Sequence, residues 1–189
     1  MSPTNRLLGP MLLAASLCLW ASWVPRVQAD TIPVKSAELK RDGESYALDA
    51  QFDVTFNATL EEALQKGVSL YFVLEFELSR PRWYWLDEKV VAQSIQYRIS
   101  YSPLTQQYRV TSGLLSQQLA SLDEVEHLLS RVTSRPVVSA DALTKGERYE
   151  AAVRLRLDVT QLPKPFQVNA LASREWSLQS EWYRWSFTP

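Results

Sequence analysis

Apolar and polar residues alternate along most of this chain. In YALDAQFDVTF, Tyr46, Leu48, Ala50, Phe52, Val54 and Phe56 take one parity, and Ala47, Asp49, Gln51, Asp53 and Thr55 take the other. Successive side chains of an extended backbone point to opposite faces, so period two predicts a strand with one buried face. IPVKSAELK lies just upstream, joined through Arg41-Asp42-Gly43-Glu44, and Asp-Gly between two such runs predicts a hairpin. VSLYFVLEFEL repeats the pattern, with Leu70, Phe72, Leu74, Phe76 and Leu78 on one face and Tyr71, Val73, Glu75 and Glu77 on the other. It predicts a central strand. QSIQYRISYSPLTQQYRVTS predicts a second hairpin turning at Ser102-Pro103-Leu104-Thr105, followed by a short strand around Leu114 to Leu119. In ALTKGERYEAAVRLRLDVTQLPKPF, Tyr149, Ala151, Val153, Leu155, Leu157 and Val159 alternate with Glu150, Ala152, Arg154, Arg156 and Asp158, a long strand that Pro163 and Pro165 should stop. WYRWSF supplies a last strand, with Tyr183, Trp185 and Phe187 turned one way and Trp182 and Arg184 the other.

Two stretches break the alternation. Thr59 followed three residues later by Glu62 fits a capping box, and Gly67 fits the position after a helix end, so a two-turn helix is expected from Leu60 to Lys66. SLDEVEHLLSRV opens with a second capping box, Ser121 with Glu124, and carries Leu122, Val125, Leu129 and Val132 along one stripe. Seven or eight strands in succession, without βαβ alternation, predict a mainly β chain. The expected fold is a single antiparallel β-sandwich over residues 30–189, immunoglobulin- or fibronectin-like, with one or two short helical insertions. A partly closed barrel is the alternative. Leu143, Gly146 and Tyr149 are spaced as in the tyrosine corner of such sandwiches, where the hydroxyl bonds to the backbone a few residues upstream.

The first 29 residues stand apart from this pattern: one early Arg6, an apolar run from Leu7 to about Val24, then Val27-Gln28-Ala29. This reads as a secretory signal peptide cleaved before Asp30. The apolar run is long enough to serve instead as a retained anchor, and Cys18 raises lipid attachment, although Leu17 before it is larger than such signals carry. Cleavage removes Arg6 and Arg26, so 18 of the 20 Lys and Arg remain against 21 Asp and Glu. No basic stripe offers a nucleic acid footprint. With Cys18 gone the exported chain has no cysteine, so its stability rests on packing rather than disulfides, and thiol chemistry is excluded.

Candidate chemistry is sparse. His127, the only histidine, lies about 140° round the second helix from Leu122 and is expected in water, where it supports neither a triad nor a zinc site. Asp87 and Glu88 follow Trp83 and Trp85, but adjacent strand residues point to opposite faces and do not flank one glycosidic bond. Glycines stand only at 9, 43, 67, 113 and 146, which leaves no phosphate-binding loop. These observations imply no catalytic residue, no cofactor and no metal. Trp85 and Trp185 read as core; Trp83, next to the Pro81 break, and Trp182, opposite Trp185, divide evenly between core and binding surface.

If the strands at Val68–Leu78, Tyr149–Val159 and Glu181–Phe187 are neighbours with the second in the middle, their outward positions form one face. That face contains Tyr71, Val73, Glu75 and Glu77, then Arg154 and Arg156, then Trp182 and Arg184. Glu75 and Glu77 opposite Arg154 and Arg156 could be register-setting pairs alone. Arg beside an exposed Trp also marks binding hot spots, so Tyr71, Glu75, Glu77, Arg154, Arg156, Trp182 and Arg184 are the candidate partner-binding residues.

LYFVLEFELSRPRWYWLDEKV (Leu70 to Val90), LPKPFQVNAL (Leu162 to Leu171) and WSLQSEWYRWSFTP (Trp176 to Pro189) resemble an exported family of proteobacterial envelope proteins, a domain of unknown function. The resemblance implies a periplasmic protein accessory to envelope signalling and supplies no catalytic residues. The expected function is a non-enzymatic protein-interaction module with an envelope protein partner and no membrane span once the signal is removed. A glycan-binding or glycan-active protein using exposed Trp and carboxylates is the alternative. Oligomeric state is not legible.

Overall fold

The computed structural model describes residues 31–84 and 87–189, apart from the side chain of Leu171. The expected signal peptide and its cleavage site, and Trp85, lie outside these residues. Among the described residues, nine strands and three α-helices make a mainly β fold of two antiparallel sheets. Strands β1 (Val34–Asp42), β2 (Ser45–Phe52) and β7 (Arg131–Ser139) form the smaller sheet in the order β1-β2-β7. The larger sheet runs β6-β5-β4-β3-β8-β9, from β6 (Leu115–Leu119), β5 (Gln107–Ser112), β4 (Glu88–Ser102), β3 (Leu70–Arg80) and β8 (Tyr149–Leu157) to β9 (Tyr183–Phe187). The hairpin at Asp42-Gly43 forms as expected, with Gly43 at φ 57°. β8 lies between β3 and β9, the neighbour order expected from the sequence.

The alternating residues define the core. Leu48, Ala50 and Phe52 from the small sheet and Phe72, Leu74, Phe76, Ala151, Val153 and Leu155 from the large one belong to a single buried cluster. Tyr46 meets Phe187 edge-on at 5.1 Å between ring centroids, and Phe56 stacks on Phe72 at 5.3 Å. Burying a large apolar side chain contributes roughly 1.5–3 kcal/mol, so this shared interior is what holds the two sheets together. The Tyr149 hydroxyl accepts the Thr144 backbone N–H at 2.9 Å, the upstream bond that the spacing predicts.

Helix α2 (Leu122–Ser130) is capped by Ser121, whose hydroxyl accepts the Glu124 N–H at 3.2 Å, while the Glu124 carboxylate reaches back to the Ala120 N–H at 2.8 Å. Val125 and Leu129 are buried, and the helix is tied to the chain after β2 by Phe56 N–H donating to Glu126 at 2.6 Å and Val54 N–H donating to Ser130 at 3.2 Å.

Several expectations need correction. Helix α1 (Ala58–Gln65) starts two residues earlier than the capping box implies: Asn57, not Thr59, is the cap, its side-chain oxygen accepting the Leu60 N–H at 3.0 Å. Thr59 is inside the helix and donates to Glu175 at 2.9 Å, and Glu62 pairs with Lys66 rather than with the cap. A third helix, α3 (Lys164–Ala172), occupies the stretch where two prolines were expected only to end a strand. Pro163 sits at its cap and Pro165 in its first turn, where no intrahelical N–H is needed and a fixed φ favours the helix. β7 is not foreshadowed by alternation, because two register shifts against β2 and Ser134 at φ 48° scramble the period. Its Pro136 is tolerated because β7 is an edge strand. β4 begins at Glu88, opposite Arg80, so Glu88 is a strand residue in the β3–β4 ladder.

Candidate functional site

The outward face of β3, β8 and β9 assembles as expected but is internally satisfied. Glu75 lies opposite Arg154 in the ladder. One of its oxygens accepts from Arg154 Nε at 2.8 Å and Nη2 at 2.5 Å, and the other accepts from Arg156 Nε at 3.0 Å. Arg156 also stands 3.7 Å from Asp158. Glu77 does not join this cluster: it falls opposite Ala152 and pairs instead with Lys89 across the β3–β4 ladder at 2.7 Å. Trp182 is half-buried rather than exposed, because the Arg154 guanidinium lies 4.6 Å from its ring centroid and that of Arg184 5.9 Å. Arg184 reaches Glu150 at 3.4 Å, and Arg98 lies over the Tyr71 ring at 5.9 Å. Beneath these layers Val73 and Ala152 are buried. Each expected binding residue thus has a partner within the fold.

The loop from β3 to β4 is different. At its foot, Arg80 stands 3.3 Å from Glu147 and 3.7 Å from Glu88, and it donates to the Tyr149 hydroxyl at 3.4 Å. Arg82 pairs with Glu88, and its N–H donates to Asp87 at 3.3 Å. Asp87 and Glu88, the carboxylates of the glycan reading, are therefore occupied by hydrogen bonds and arginines. Trp83 is 94% exposed and Tyr84 65% exposed, which removes Trp83 from the core. Trp185 is partly buried against the core, as expected.

A cleft of about 1000 Å³ opens between α2 and the inner face of β4–β6. Its floor is an inward row that the smaller sheet leaves uncovered: Tyr97 of β4, Val110 of β5, and Leu115, Gln117 and Leu119 of β6. Leu128 and Val132 form the apolar wall, and Asp123, Glu124, His127, Arg131 and Arg135 the rim. Burial pushes the Tyr97 hydroxyl pKa up, with the Arg135 charge opposing it. His127 is exposed, as expected, and among the described residues no hydrogen bond joins it to Ser112, Asp123 or Glu124, the cleft's serine and its two acids. Nor do the described residues contain a group of three or more His, Cys, Asp or Glu side chains placed to hold a metal.

Alternation alone missed this cleft. The available signal was polarity on the inward parity: Gln93 and Gln117 stand in rows where a fully covered sheet would carry apolar residues.

The cleft is bordered by β6, the free edge of the larger sheet. The other edges are guarded. β1 carries Lys35, Glu38, Lys40 and Arg41 and an irregularity at its start; β7 carries Pro136 and two register shifts; β9 carries Arg184. β6 reads LSQQL, pairs with β5 in unbroken register, and has no charge, proline or bulge. Leu115 at its start is 74% exposed. A free edge presents unpaired N–H and C=O groups, and β6 lacks the devices that discourage another strand from pairing with it.

Among the described residues, no helix is long and apolar enough to cross a membrane. No curated protein and no solved structure matches the chain. A model described as Domain of unknown function (DUF4390) matches residues 29–186, and the chain belongs to that family.

Proposed function

We propose that this protein is an exported, non-enzymatic binding module of the cell envelope that receives an extended segment of a protein partner along β6 and in the adjoining cleft. The observation that carries the reading is the unguarded β6 edge beside a cleft whose floor offers Tyr97, Leu115 and Gln117. Main-chain bonds to the edge would supply affinity, and alternate side chains of the incoming strand would fall over Leu115, Gln117 and Val110. The rim has both signs of charge, Asp123 and Glu124 with Arg131 and Arg135, which suits a polypeptide better than a uniformly charged ligand. Export rests on residues 1–29, and a mature N-terminus at Asp30 would establish it. The fold reading that accompanies this function is an immunoglobulin-like sandwich, supported by the order β3-β8-β9 and by the bond from Thr144 to Tyr149.

The test is a photo-crosslinking residue placed at Gln117, in the cleft, or at Gln96, on the outward face of β4. In intact cells the reading expects an adduct from position 117 that is lost when Leu115→Glu places a charge on the edge, and none from position 96. No adduct from 117, or the same adduct from both positions, would overturn it.

A further inference from the structure

The β3–β4 loop supplies a second, independent surface. Residues 81–84 leave the sheet at the end where β8 begins, as the pairing of Arg80 with Glu88 and of Ser79 with Glu150 fixes. The foot of the loop is held by Arg80, Arg82, Glu88, Glu147 and Tyr149. The tip carries two large rings in water, Trp83 and Tyr84, packed edge-to-face at 5.2 Å between centroids. Single exposed apolar residues are ordinary on a protein surface, but two adjacent aromatics on a firmly anchored protruding loop are not accounted for by stability. Lys145 and Arg148 are exposed on the neighbouring loop at the same end of the sheet, with Arg148 donating to Ser186 at 2.8 Å. Projecting Trp and Tyr beside cations match the chemistry of a membrane surface, where amphipathic rings settle at headgroup depth and basic side chains meet anionic lipid. A protein hot spot would instead call for a flat or concave patch in which the rings are ringed by other contacts.

We infer that this hairpin tip docks the protein on an anionic bilayer, with Trp83 and Tyr84 inserted among the headgroups. The attachment is peripheral and leaves the β6 edge free at the far side of the sheet. The described strands and buried cluster fall within residues 31–189, and the exported form beginning at Asp30 is the chain tested, beside the full chain.

Flotation with vesicles of phosphatidylethanolamine and phosphatidylglycerol is the experiment, with phosphatidylcholine vesicles in parallel. The parent chain should float with the anionic vesicles. Trp83→Ala combined with Tyr84→Ala should weaken partitioning at least about tenfold, through loss of two inserted rings. Lys145→Glu with Arg148→Glu should abolish the preference for anionic lipid. Leu104→Ala, equally exposed at 94% but at the opposite end of the sheet, should change nothing. In the parent, lipids brominated near the headgroup should quench tryptophan fluorescence, a reading that depends on no variant. A parent that floats with no vesicle, an aromatic variant that floats like the parent, or absence of quenching overturns the inference and returns the tip to a protein-docking role.

Discussion

The Tyr149 hydroxyl accepts the Thr144 N–H at 2.9 Å across a loop of five residues, while the ring itself is fully buried. The same oxygen lies 3.3 Å from Glu147 and receives Arg80 Nη2 at 3.4 Å, so one phenol joins the loop before β8 to the foot of the aromatic hairpin. Tyr149→Phe keeps the ring in the core and removes only the oxygen. A hydrogen bond of this kind contributes roughly 0.5–1.5 kcal/mol, and one kcal/mol moves the melting midpoint of a domain this size by roughly 2–4 °C. A drop of several degrees in a calorimetric scan is expected; an unchanged midpoint would show that the corner only decorates a loop held by other contacts.

Glu75 and Glu77 are two residues apart on one face, yet they should respond differently. Glu75 satisfies two half-buried arginines, and Glu75→Gln leaves Arg154 and Arg156 beside each other without their shared counter-charge. Glu77 holds only Lys89, whose side chain is 56% exposed. Charged hydrogen bonds contribute roughly 1.5–3 kcal/mol where partly buried, against about 0–1 kcal/mol for an exposed pair. Urea denaturation should place Glu75→Gln clearly below the parent and Glu77→Gln within error of it. Equal losses would mean that the buried geometry of Glu75 carries no special weight.

What the sequence made legible follows the period-two rule. β2, β3 and β8 each place one unbroken apolar row in the core, although Ala47, Val73 and Ala152 on the opposite parity are buried as well, and β2 and β8 end at Phe52 and Leu157, short of the Phe56 and Val159 that the alternation reached. β7 does not, because bulges and Pro136 break the period while β2 still dictates the pairing. The binding face was half legible: neighbour order placed Glu75 with Arg154, but only the antiparallel register decides that Glu77 meets Ala152 instead. The cleft left only a faint mark in the sequence, the polar Gln117 on an inward row, for a different reason. It exists because a three-stranded sheet covers only part of a six-stranded one, and relative sheet width is a tertiary quantity that no local pattern records.

Helix α1 separates two similar residues in the same way. Asn57 caps the helix through its oxygen and donates through its nitrogen to the Glu175 carbonyl at 2.7 Å, whereas Thr59 makes one exposed bond to the Glu175 side chain. Replacing a capping Asn with Ala costs typically about 1 kcal/mol, and here a second bond goes with it. Asn57→Ala should therefore lower the midpoint by several degrees, with Thr59→Ala near the parent. The reverse order would restore Thr59 as the cap.

Two carboxyls should give the stability profile opposite slopes with pH. Asp49 accepts from Lys40 at 2.8 Å and from the Ser134 N–H at 2.6 Å, and these bonds, Lys40 first, hold its pKa below the ordinary carboxylate value. Its folded form thus binds a proton less readily than the unfolded chain. The stability it contributes is complete above the ordinary aspartate value and is lost as pH falls through the depressed one. Glu126 is the converse: burial pushes its pKa up, against the opposing Phe56 N–H. The folded state then holds the proton longer than the unfolded chain. Stability from this group is greatest below the ordinary glutamate value and declines as pH rises to the raised one. Asp49→Asn should destabilise at neutral pH by an amount that shrinks as acid protonates Asp49 in the parent. Glu126→Gln retains an oxygen for the Phe56 N–H and should gain on the parent as pH climbs through the window, with a constant advantage above it. Denaturation midpoints measured from pH 3 to 8 decide both, and an offset from the parent that does not vary with pH in either variant would refute the assignment for that residue.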